Sequence, residues 1–219
     1  MGLISLLAQE PLLFVVLVSA LVLTLSVHEA AHAWVGALLG DMTAKRLGRL
    51  TLNPLAHIDP IGFLMVLFVG FGYAKPVPFN PYNLRDQRWG PAFIAAAGPG
   101  SNLVLGTICA VTYGILAPFL GAAAAVPWAQ SNLLLLLLAW LGLINFALMA
   151  FNFIPVPPLD GSKVLLALLA DPRYARVRMS LERQGPSLLL LLIFLDIVLN
   201  IGIFSWIFQF ASGLFLLLS

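Results

Sequence analysis

Four apolar runs, residues 11–39, 91–118, 132–154 and 186–218, leave this chain few ways to fold. A helix needs ~20 residues to cross a hydrocarbon core of ~30 Å, and each run exceeds that length. Leu, Ala and Phe fill the runs continuously rather than alternating with polar residues, which indicates helices and not barrel strands. With 61% hydrophobic residues, 9% charged residues and a mean hydropathy of +1.02, no soluble class accommodates the chain. The expected fold is an all-α polytopic membrane protein. A net charge of +2 gives no basic surface for nucleic acid, so no nucleic-acid partner is expected and the bilayer is the main surrounding partner. Cys109 is the sole cysteine, which rules out an internal disulfide and a cysteine zinc cluster and leaves it as a small core residue. The opening "MGLISLLAQE" lacks the basic start of a signal peptide, so the first run is read as a retained span. No polar stretch is long enough to form a separate soluble domain, and residues 1–219 are read as one membrane-embedded domain.

A fifth run, Ile61 to Tyr73, is too short to span comfortably and contains Gly62, Gly70 and Gly72. It is expected to enter the membrane surface and return. Charge supports this. All eleven Lys and Arg fall within residues 45–88 and 163–183. If Ile61 to Tyr73 returns, every one lies on one face, which the positive-inside rule assigns to the cytoplasm. Flanking it, "RLGRLTLN" (46–53) alternates with period two and "AKPVPFNP" (74–81) is extended by its prolines; both are expected as short β strands at the membrane surface, the second at an edge because of Pro76 and Pro78. The expected architecture is therefore three core transmembrane helices, a re-entrant or membrane-surface β segment, and one or two C-terminal spans within 186–218, where "NIG" at 200–202 marks either a kink or a hairpin.

The first span carries an unusual burden: "LTLSVHEAAHAWVGALLG" places two histidines and a glutamate in an otherwise apolar run. Ionisable groups in hydrocarbon cost several kcal/mol unless paired, coordinated or wet. On a helix His28 and His32 lie ~40° apart and Glu29 ~60° further round, so the three share one stripe. This is the H-E-x-x-H pattern in which both imidazoles reach one zinc ion and the intervening glutamate faces a water on that ion rather than the ion itself. A polar cluster joining helices would also place such residues there, but less economically. Gly36 and Gly40 lie beside the stripe and allow a neighbouring helix to approach.

Two histidines leave zinc one protein ligand short. His57 and Asp59 in "NPLAHIDP", Asp160 in "NFIPVPPLDG" and Asp196 are the candidates. Asp160 has the best setting. Asn145 and Asn152, seven apart, share one helix face; Pro155, Pro157 and Pro158 then end the helix and let the chain fold back. Counting spans also returns Asp160 to the face that holds His28 and His32. His57 is read as a turn residue with a possible role in orienting a ligand, Asp59 as a turn former, and Asn102 as a helix-start and packing residue. Asp196, mid-span, needs a partner that the sequence does not identify.

"HEAAH", "AAAGPGSN" at 95–102 and "NFIPVPPLDG" at 152–161, in that order on successive spans, resemble the site-2 protease family of intramembrane zinc metalloproteases, as do "NPLAHIDPIG" and "KPVPFNP" between them. The resemblance covers residues 20–165. It implies one Zn2+ per chain held by His28, His32 and Asp160, with Glu29 as the catalytic base and Asn152 near the site as a support for substrate or transition state. The apolar runs give a catalytic core expected over about 11–165 with a C-terminal helical segment at 186–218, and the resemblance implies a membrane-protein substrate with a transmembrane helix. The many family members that carry PDZ or CBS domains differ here, since neither is visible. A multi-pass protein of the cell membrane with its active site toward the cytoplasm is expected, with homo-oligomerisation left open. A zinc or proton transporter using the same ligands as a transit site is the alternative.

Overall fold

The computed structural model describes residues 3–70, 72–120, 127–129 and 131–219. Met1 and Gly2 of the opening decapeptide and Phe71 of the short apolar run lie outside the described residues. Helix α1 (Ile4–Gln9) leads into α2 (Pro11–Leu38), whose proline stands in the first turn, where its missing N–H costs nothing. A short helix α3 (Thr43–Arg46) and α4 (Pro60–Val69) precede α5 (Gly90–Leu116), α6 (Leu133–Asn152), α7 (Gly161–Leu168), α8 (Ala175–Leu199) and α9 (Ile203–Leu218). Three of these, α2, α5 and α6, are long and apolar enough to cross a membrane.

The three pack together, and α9 closes over α6. Glycines set the spacing. A Cβ on Gly106 would stand 2.7 Å from the Phe146 ring, and one on Gly142 would stand 2.5 Å from Phe215. Both contacts exist only because the side chain is absent. Ala110, Leu135, Ala139, Leu143, Phe146 and Phe215 form the resulting core, with Cys109 buried beside Ala20 and Leu141. Outside it, Leu103, Val104, Ile108, Val111 and Ile115 of α5 are exposed. An apolar exterior of this kind suits lipid rather than water.

Cross-helix contacts give the directions of the spans. Asn145 of α6 donates from Nδ2 to Thr24 Oγ1 of α2 (2.8 Å), and further along both chains His28 and His32 meet Asp160, so α2 and α6 run the same way. Helix α5 runs against them: Ile94 contacts His32 while Asn102 contacts His28.

Between α2 and α5 the chain is held by buried polar nodes. Asp41 accepts from Asn80 N (2.6 Å), Asn83 Nδ2 (2.9 Å) and Thr43 N (3.1 Å). Burial alone would raise its pKa, but these donors outweigh it and keep the carboxyl below its ordinary value. Asp59, read from sequence as a turn former, accepts from Ile61 N and Gly62 N and caps α4. Helix α4 ends at Gly70, and Gly72 and Tyr73 lie back against Gly62. Lys75 N then donates to His57 O at 2.8 Å, which joins the two ends of this segment.

The expected β strands do not form: among the described residues no strand occurs. "RLGRLTLN" instead begins in the last turn of α3, where Gly48 (φ +69°) closes the helix and Arg49 N donates back to Ala44 O. Its two-residue alternation reflects a helix end followed by bends. "AKPVPFNP" runs without regular structure to Asn80, which is extended, and enters a 3-10 turn at Pro81; Pro76 and Pro78 have no N–H to offer a ladder. Arg49 holds it instead, through bonds to the carbonyls of Lys75 and Pro76.

The last apolar run is two helices, not one kinked helix. Asn200 (φ +50°) and Gly202 (φ +90°) both take left-handed conformations, which ends α8 and starts α9. Asp196 finds its partners here, accepting from Ile203 N (2.7 Å) and Phe204 N (3.4 Å) at the head of α9.

Candidate metal centre and active site

The residue types that bind zinc converge at one place. His28 and His32 stand one turn apart on α2, both buried, with ring planes at 89° and centroids 4.6 Å apart. Asp160 reaches them from the turn between α6 and α7, after Pro155, Pro157 and Pro158 have ended α6. Its Oδ2 lies 3.2 Å from His28 Nε2 and 3.4 Å from His32 Nε2, and the three candidate ligand atoms lie within 4.8 Å of one another. Ligands ~2.0 to 2.2 Å from a tetrahedral zinc stand roughly 3.3 Å apart, so the donor types suit the ion and both histidine–aspartate separations match its ligand spacing. Burial would raise the pKa of Asp160, but the facing imidazoles outweigh it and bring it down to about 2. An anionic ligand results.

Each imidazole is gripped on its far side by α5. His32 Nδ1 donates to the Ile94 carbonyl at 2.7 Å, so the neutral ring keeps its proton there and has Nε2 free for a metal on the Asp160 side. His28 Nδ1 lies 3.1 Å from the Asn102 carboxamide. Between these contacts Gly98 faces both rings, and a Cβ there would come within 2.5 Å of His28 Nε2 and His32 Cε1. Gly98→Ala is therefore expected to push the rings off their common centre, lowering zinc content of the purified protein and costing about 1 to 3 kcal/mol of stability. Metal analysis beside a thermal melt in detergent checks it, and unchanged zinc content would show that the rings can give way.

Glu29 is buried next to the pair, and its Oε2 has no hydrogen-bond partner. It lies outside the three-residue cluster but lines the same cavity of about 370 Å³ as His28, His32 and Asp160. Asn152 lines that cavity too, donating from Nδ2 to Leu148 O at 3.1 Å. The extended segment forms a wall through Ala74, Pro76, Val77 and Phe79. A larger cavity of about 740 Å³, lined by Arg88, Lys163, Asp171, Arg178 and Glu182, adjoins it and shares Phe79 and Lys163.

The other candidates are not brought to this centre. His57 is buried, with Nε2 donating to Thr51 O (2.8 Å) and Nδ1 facing Arg49 Nη2 (3.4 Å); Asp59 caps α4 and Asp196 caps α9. Sequence reasoning passed over the α5 contribution. Asn102 is mid-helix and fully buried rather than at a helix start. Its signal was the i, i+4, i+8 spacing of Ile94, Gly98 and Asn102, one stripe facing one neighbour.

Two imidazoles and a carboxylate at ligand spacing, where apolar helices meet, place the chain in the class of helical membrane metalloproteins. Comparison with known proteins narrows the class. Residues 119–193, which include Asp160, match the profile of peptidase family M50. The chain is 36% identical over 186 residues to the Bacillus subtilis protein named "Putative zinc metalloprotease YwhC", covering 81% of this chain and 79% of that one. It is 26% identical over 207 residues to "Putative zinc metalloprotease Rip2" of Mycolicibacterium smegmatis and 27% identical over 209 residues to the protein of the same name from Mycobacterium tuberculosis H37Rv, in each case covering 91% of this chain and 75% of the relative. No solved structure matches significantly. The chain belongs to peptidase family M50, the site-2 protease family, and is a zinc metalloprotease.

Proposed function

We propose that the chain is an intramembrane protease that hydrolyses peptide bonds in or near transmembrane segments of other membrane proteins, with one zinc per chain held by His28, His32 and Asp160. The observation that carries the reading is the convergence of those three residues beside a buried Glu29 whose Oε2 has no hydrogen-bond partner, where three apolar helices meet. Bound zinc supplies Lewis acidity, lowering the pKa of a water toward ~7 and polarising a substrate carbonyl. Glu29 takes the proton from the attacking water and returns it to the leaving amine. Asn152 keeps one N–H beyond its bond to Leu148 O to support the carbonyl oxygen as charge develops. A helical substrate must unwind before its carbonyls can be reached. The extended segment at 74–79 is positioned to pair with the opened backbone.

Hydrolysis consumes water, and the adjoining cavity lined by Arg88, Lys163, Asp171, Arg178 and Glu182 is the approach we assign to it, from the side that carries the basic residues. That side is cytoplasmic on the positive-inside rule, with α2 entering from outside and residues 58–74 re-entrant rather than spanning. The hydrogen bond that joins Lys75 to His57 supports the re-entrant path. Cysteines at the exposed positions Arg46 and Arg85, in a Cys109→Ala background, are expected to show the same sidedness to an impermeant thiol reagent in intact cells. Opposite labelling would overturn the topology.

Substrate choice tests the function itself. A single-span protein is expected to be cut in or beside its span while its isolated soluble domain stays intact. Cleavage of the soluble domain alone would refute the intramembrane reading.

A further inference from the structure

A neutral imidazole carries one proton, and which nitrogen holds it decides whether the other can bind a metal. If His28 is to ligate through Nε2, its proton must sit on Nδ1, deep between α2 and α5. A buried N–H without an acceptor forfeits its hydration with nothing in return, so something at that position has to accept it. For His32 the acceptor is the Ile94 carbonyl, 2.7 Å away. For His28 it has to be a side chain, because Asn102 occupies the corresponding place two turns further along α5.

We propose that Asn102 is a positioning residue for the metal centre, its carboxamide oxygen accepting from His28 Nδ1–H and so holding Nε2 bare and aimed at Asp160. This rests on the zinc reading given above. Three observations carry it. The carboxamide is in contact with Nδ1 at 3.1 Å, and it is the partner that the described residues provide for that nitrogen. Asn102 is 0% exposed in a span, where a polar side chain is costly without a task. Its Oδ1 is buried and has no hydrogen-bond partner when Nδ2 faces the ring, so turning the amide end for end presents a spare acceptor to Nδ1–H. The carboxamide thus serves both tautomers. Nδ2 donates to a bare Nδ1 when the Nε2 proton faces Asp160, and Oδ1 accepts once that proton has moved to Nδ1.

The backbone of α5 makes this contact possible. Ile94, Gly98 and Asn102 form one stripe against the antiparallel stripe of His32 and His28, and Gly98 lets the helices approach until both acceptors reach their rings. One helix supplies the ligands and its neighbour sets their tautomers.

The experiment measures zinc affinity of the purified full chain by competition with a chromophoric chelator, comparing Asn102→Leu, Asn102→Asp and His28→Ala with wild type. Asn102→Leu keeps the bulk and removes the acceptor, and is expected to weaken zinc binding ~10 to 100-fold. Asn102→Asp restores an acceptor and is expected to hold zinc at least tenfold more tightly than the leucine variant. A packing role predicts the opposite order, since leucine is the better apolar filler and aspartate adds a buried charge. Leucine binding zinc like wild type, or aspartate no better than leucine, would overturn the proposal. If the leucine variant does not fold, Asn102→Ala takes its place under the same criteria. His28→Ala separates the two levels: unchanged affinity in that variant would mean that the zinc reading is wrong, whereas loss in His28→Ala with retention in Asn102→Leu rejects only the role of Asn102.

Discussion

Glu29→Gln is expected to retain zinc and to lose proteolysis by ~10²- to 10⁴-fold, the range that a positioned acid–base group supplies. Glutamine has nearly the same shape and fills the same buried position, so the helix and the His28/His32 pair beside it are undisturbed. It cannot take a proton from water at neutral pH. Because Glu29 lies outside the three-residue cluster, metal content is predicted to stay at the wild-type level. Co-expression with a cleaved single-span partner reads the first half of the prediction as accumulated full-length partner, and metal analysis of the purified variant reads the second. Near-normal cleavage would remove Glu29 from the chemistry; loss of zinc along with cleavage would make it a ligand.

Asp160→Ala carries the second large effect. The aspartate bridges the Nε2 atoms of both histidines, and it is the carboxylate that the described residues bring within ligand distance of them. Removing it leaves two neutral donors, too few for a closed site. Zinc occupancy is expected to fall sharply and cleavage to vanish. His57→Ala is the matched control. Its ring bonds to Thr51 O and Arg49 rather than to the cluster, so most of the zinc is expected to remain. Its loss should act through Arg49 and the carbonyls of Lys75 and Pro76, disturbing the extended segment. Zinc content and cleavage rate of the two variants, measured side by side, decide between them, and the reverse pattern would move the third ligand to His57.

What could be read from the chain alone follows from the range over which its signals act. His28, Glu29 and His32 lie within one helical turn and a half, so periodicity places them on a common stripe. Asp160 was reachable because proline chemistry and the order of spans are local facts that add up along the chain. The grip on the imidazoles was not. The Ile94 acceptor is a main-chain carbonyl, which leaves no trace in residue identity, and Asn102 acquires its partner only when α5 packs against α2. Arg49 illustrates the same limit. Its positive charge was counted toward topology, but its carbonyl partners lie 26 and 27 residues away and emerge only with the fold. The strand expectation at 46–53 failed for a different reason: a glycine-terminated helix followed by bends mimics alternation over eight residues. In the last run, "NIG" left kink and hairpin open because the deciding interaction is the bond from Ile203 N to Asp196, across the turn.

The central claim is that this chain cuts membrane-protein substrates with a single zinc. Its most direct test places the purified protein and a single-span substrate in the same vesicles, strips the metal with a chelator, and returns zinc in measured steps while fragments are identified by mass. Cleavage in or beside the span is expected to disappear on stripping and to be restored in full by about one zinc per chain. Cleavage that persists in the metal-free protein, or returned zinc that crosses the vesicle membrane without producing fragments, would contradict it.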